Sequence, residues 1–103
     1  MEKISIDGDL PVPIKILVDE EQIKCGKFVM SSMTAIEYVQ VQAKITGLHY
    51  ISISDVVAMT KLVDDEGHHH ELTYVDLAEG SHFNLIHLTE TKAELEAKVK
   101  AAS

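Results

Sequence analysis

Near the start of the chain, apolar and polar positions alternate with a period of two. Ile14-Lys15-Ile16-Leu17-Val18 is rich in β-branched residues and follows Pro11 and Pro13, which oppose helix, so it reads as a strand. Asp19-Glu20-Glu21-Gln22 is a polar turn, and Ile23 to Met30 alternates around Gly26. Residues 10–30 therefore predict a β-hairpin. Upstream, Ile4 and Ile6 alternate weakly and Asp7-Gly8-Asp9 is a turn signal, which predicts a flexible or edge-like start over Met1–Asp9. A lone hairpin is marginal in water, so the rest of the chain must cover it.

After the hairpin the period changes. Thr34-Ala35-Ile36-Glu37 has the spacing of a capping box, in which the threonine hydroxyl and the glutamate carboxylate satisfy each other's backbone amides. The helix it opens is expected to run to Thr46, with Gly47 as its C-terminal stop. Glu37, Gln40 and Lys44 form a narrow polar strip, whereas Ala35, Ile36, Tyr38, Val39, Val41, Ala43 and Ile45 cover most of the circumference. A surface helix ordinarily needs an apolar stripe for one core only. Either other elements cover this helix on both sides, or part of it is reserved for a partner.

Between Leu48 and Val63 two patterns compete. Tyr50-Ile51-Ser52-Ile53 alternates like a strand, while Ser54-Asp55 leads into Val56, Val57, Met59, Leu62 and Val63 at helical spacing; a helix from about Ser54 onward is the expectation. Residues 64–71, Asp64 to Glu71, read as a polar loop. Thr73-Tyr74-Val75-Asp76 repeats the capping pattern at the head of a short helix ended by Gly80, and Ser81 caps the next. That last helix, His82 to Ala101, has two apolar faces: Leu85, Leu88, Leu95 and Val99 on one, Phe83, Ile86, Ala93, Ala97 and Ala101 on the other. One packs on the domain and the second is spare. The expected fold is α+β, a single domain over residues 1–103 with an N-terminal β-hairpin at 10–30 followed by about four α-helices over 34–101.

Composition narrows the function. The 103 residues suffice for one core. Nine lysines against 17 acids give a net charge of −8, and arginine is absent. Phosphate capture and base readout rest on basic patches and arginine forks, so no nucleic acid and no membrane surface is expected as a partner. A DNA mimic is a minor reading, since lysines are interspersed among the acids. The single Cys25 cannot form an intramolecular disulfide, and no signal peptide or long apolar run is present, which points to a reducing cytoplasm.

Candidate chemistry is sparse. His68-His69-His70, flanked by Asp64, Asp65, Glu66 and Glu71, is the one conspicuous cluster; adjacent residues rarely supply a tetrahedral site, so these histidines are weak metal candidates and a solvated loop is the simpler reading. Cys25 in a hairpin reads as a small hydrophobe, and His82 and His87 at i, i+5 do not share a metal face; they are expected to be exposed or partner-facing. Met30, Met33 and Met59 read as core or as adaptable contact surface. Phosphate loops, the serine-elbow motif and zinc-binding cysteine pairs are absent. No enzyme and no cofactor is expected.

The succession Leu10–Met30, then Met33-Thr34-Ala35-Ile36-Glu37, a middle helix, Leu72-Thr73-Tyr74-Val75-Asp76-Leu77, and Phe83-Asn84 before a Leu/Ala/Glu/Lys helix resembles the Mu-like phage tail assembly chaperones across nearly the whole chain. The resemblance implies a bacterial host cytoplasm and a protein that keeps the hydrophobic, helical tape measure protein soluble and recruits tail tube subunits, often beside a longer frameshifted product. Ile36, Val39, Ala43, Phe83 and Ile86 are the partner-binding candidates on which this and the apolar excess converge. Whether the chain acts as a homo-oligomer is left open. The alternative is a small acidic metal-responsive regulator using His68–His70, or another protein-interaction adaptor.

Overall fold

The computed structural model describes residues 3–45, 47 and 49–102. Strands β1 (Ser5–Val18) and β2 (Glu21–Ser31) form a long antiparallel hairpin. Only Asp19 and Glu20 connect them, both at positive φ, 49° and 68°, which is the pattern of a type I′ turn whose twist suits the flanking strands. Glu21 and Gln22, read as turn, already pair with Val18 and Leu17.

The strand also starts earlier than its alternation suggested. Asp7, Gly8 and Asp9 form no turn; they lie in β1 opposite Val29, Phe28 and Lys27. Phe28 is the reason. A Cβ on Gly8 would stand 3.2 Å from Phe28 Cζ, so this glycine makes room for a buried ring rather than bending the chain.

Helix α1 (Ala35–Lys44) opens with the expected Thr34 capping box and ends short of expectation, with Ile45 as its C-cap; Thr46 lies outside the described residues. Helix α2 spans Ile51–Met59, after which β3 (Thr60–Asp64) and β4 (His69–Glu71) form a second hairpin. This corrects two expectations: the helix from Ser54 does not continue through Val63, and residues 64–71 are not simply a loop. Burial overrides the helical spacing here, because Leu62 sits fully buried opposite Phe28. The Thr60 hydroxyl donates to the Val56 carbonyl at 2.7 Å where the helix ends. The outcome is a four-stranded antiparallel sheet in the order β1-β2-β3-β4, so residues 34–101 are not purely helical. Helices α3 (Tyr74–Ala78) and α4 (His82–Ala102) complete the α+β chain, with α3 capped by Thr73 and Asp76 as the capping pattern implied.

Two irregularities meet at Gly26. The β1–β2 register shifts between Asp9 and Ile14, and the β2–β3 register shifts between Cys25 and Lys27. A bulge on β2 reverses side-chain parity, so the inward residues change from Ile23 and Cys25 to Phe28 and Met30. On β1 the exposed residues Pro11–Pro13 bow out of the ladder between the buried Leu10 and Ile14. Asn84 of α4, 1% exposed, meets them: its Oδ1 accepts from Val12 N–H at 2.9 Å and its Nδ2 donates to the Val12 carbonyl at 2.8 Å. Around this contact Leu10, Ile14, Phe28, Met30 and Leu62 of the sheet share a core with Leu77, Leu88 and Leu95.

Asn84→Ala leaves both Val12 groups without their partner and is expected to cost about 2 kcal/mol. For a chain of this size that lowers the melting temperature by roughly 8–16 °C in a circular dichroism melt.

Candidate partner-binding surface

Helix α1 is held by polar clasps at its two ends and buries none of its residues. At its head, Thr34 Oγ1 accepts from Glu37 N–H at 3.2 Å and Glu37 Oε1 accepts from Thr34 N–H at 3.0 Å. Glu37 Oε2 also receives Lys3 Nζ at 2.7 Å, which ties the helix to the residues before β1. Those contacts hold the Glu37 carboxyl down to about 2, with the lysine bond the largest cause. At the far end Gln42 Nε2 donates to Asp55 Oδ1 of α2 at 2.8 Å. Between the clasps lie six apolar residues, Ala35, Ile36, Tyr38, Val39, Val41 and Ala43, and none of them is buried. Ile36 is 62% exposed and Val39 58%.

One side of α1 faces the C-terminal half of α4 across a groove of about 450 Å³. Met33, Tyr38 and Val39 form one wall, Leu95 and Val99 the other, and Met59 is shared between them, with Asp55, Lys92, Glu96 and Lys100 at the rim. Lys92 and Glu96 pair there at 3.4 Å. An apolar trough between helices, edged by charge and lined by methionines, has the chemistry to receive an amphipathic helix.

The five candidate residues are all exposed or half-buried but do not gather in one place. Val39 lines the groove; Ile36 and Ala43 lie elsewhere on α1. Phe83 and Ile86, 57% and 50% exposed, stand at the head of α4, and the groove includes neither. Ile86 precedes Leu95 by nine residues, about 13 Å along a helix axis. The second apolar face of α4 is exposed, as its spacing implied: Ala93, Ala97 and Ala101 are open to solvent as well. Sequence reasoning missed Leu95 and Val99 as groove residues because it assigned them wholly to the core. Leu95 is fully buried and lines the groove too.

The remaining chemistry-bearing residues do not converge. His69 and His70 are successive residues of β4 and so take opposite faces of the sheet. His70 Nε2 lies 2.8 Å from Asp64 Oδ2, and His68 is in the turn. Among the described residues, no three His, Cys, Asp or Glu side chains are placed to share a metal ion. His87, expected to face a partner or solvent, is half-buried with its ring 5.7 Å from Phe28 at 78°. Cys25 is buried, and that burial, followed by the charges of Asp64, Asp65 and Asp76, pushes its thiol up. Asp64 shapes the chain around it. Its Oδ1 accepts from the backbone of Glu66 and His68, both at 2.9 Å, which sets the turn that Gly67 closes at φ 84°. No protein family, curated protein or solved structure matches the chain.

The His70 bond, followed by those two amides, lowers Asp64 from 3.8 to about 2. A carboxyl held lower in the folded chain binds fewer protons there than in the unfolded chain, so its contribution is complete above about pH 4 and drains away as pH falls through about 2. Urea midpoints at pH 5 and pH 2.5 should therefore converge more closely in Asp64→Asn than in the parent chain.

Proposed function

We propose that this chain is a phage or prophage tail assembly chaperone, a non-catalytic protein that shields a hydrophobic helical segment of the tape measure protein and helps recruit tail tube subunits. The observation that carries the reading is α1, a helix with six apolar residues, none of them buried. Val39, which lines the groove, would gain on the order of 1–2 kcal/mol on being covered. The groove between α1 and α4 offers a partner helix one continuous apolar bed, and its methionines adapt to side chains of differing size. The net charge of −8 keeps such a surface from self-aggregating.

Coexpression with a tape measure fragment from the same genome tests the reading. The fragment should become soluble and copurify with the parent chain. Val39→Asp, at an exposed groove position, should cut the copurified fraction roughly tenfold, while Val75→Asp, exposed but outside the groove, leaves it unchanged. A fragment that stays as insoluble with the chain as without it would overturn the proposal.

A further inference from the structure

The free edge of β1 is guarded along its middle and open near its end. Pro11 and Pro13 have no N–H to offer, and Asn84 occupies both polar groups of Val12, which are ordinary ways of blunting an edge strand. Beyond Lys15 no described residue protects the strand in this way. In a hairpin with a two-residue turn the residues flanking the turn bond to each other. Val18, Ile16 and Ile14 therefore spend their backbone groups on β2, and those of Lys15 and Leu17 aim outward. Leu17 is 74% exposed, more than any other large hydrophobic side chain among the described residues.

We propose that Ile16–Val18 pairs antiparallel with the same segment of a second copy of this chain, about a twofold axis through Leu17. That occupant follows from the register. With Leu17 opposite Leu17, the outward backbone groups of both strands face each other and the exposed leucines cover one another on the outer face. Ile16 then meets Val18 on the inner face, where both are half-buried. Lys15 then comes beside Asp19, the turn residue that follows the strand in the second copy, so each copy brings one cation and one anion to the two ends of the pairing. Among the described residues, neither has an ion-pair partner within its own chain. Lys15 lies instead directly opposite Lys24 on β2, a like-charge pair that Asp19 of the second copy would relieve. Shifting the strands by two residues either way places Leu17 against a charge, and shifting by one puts inner side chains against outer ones. Before Lys15 the turn joining α3 and α4 lies beside the strand, which limits the pairing to this segment.

The test is sedimentation velocity on the full chain at physiological ionic strength, where repulsion between the two acidic copies is screened, up to ~1 mM, with circular dichroism confirming the fold of each variant. The parent chain should show a concentration-dependent dimer. Lys15→Asp should weaken it about tenfold by setting acid against acid at both pairs, and adding Asp19→Lys to that variant should restore it. Leu17→Lys should abolish the dimer. A parent chain that stays monomeric throughout, or a dimer indifferent to Lys15→Asp, overturns the assignment; either result leaves the groove proposal untouched, since that is read from tape measure solubility.

Discussion

The contact on which the architecture turns is the paired hydrogen bond between Asn84 and Val12. Leu10 to Pro13 stand opposite Gly26 alone, so this stretch of β1 cannot complete a regular ladder with β2. A primary amide carries a donor and an acceptor side by side, as a peptide group does, and Asn84 acts as one residue of strand supplied from a helix. It thereby fixes α4 along its axis. Leu88 and Leu95 follow at four and eleven residues, on the same face, and both are fully buried. The wall that α4 gives to the groove is thus set by an amide more than a helical turn away. The contact joins residues 72 apart in sequence, so it closes a long loop against the entropy of the chain between them.

Helix α1 obeys a different logic. Most helices in small proteins are stabilised by burying one face. Here the capping box, the Lys3–Glu37 pair and the Gln42–Asp55 bond hold the helix at both ends while none of its apolar residues is buried. Polar anchoring of this kind holds the helix in place without burying its side chains, at the cost of leaving apolar area in water.

What was legible in the sequence was local. The Thr34 and Thr73 boxes, the serine before α4 and the first hairpin all announce themselves through chemistry within a few residues. The second hairpin does not, because Leu62 and Val63 satisfy helical and extended periods equally; only the distant Phe28 decides between them. Gly8 misleads for the same reason, since its meaning comes from Phe28, a ring far along the chain. The excess width of the apolar surface on α1 was readable, and so was the exposure of Phe83 and Ile86. Which wall faces α1 was not, because periodicity tells which face of α4 is apolar but not where α1 lies along it.

Gly26 also bears on how this sheet tolerates changes in chain length. On β1 the inward residues on either side of the outward bow, Leu10 and Ile14, are an even number of steps apart, whereas on β2 Cys25 and Phe28 are an odd number apart. Gaining or losing two residues between Leu10 and Ile14 would keep every inward side chain inward, while a change of one would turn half the strand inside out. Related chains should therefore differ here in steps of two, or carry a compensating change beside Gly26, and an odd step without one would mark a different fold.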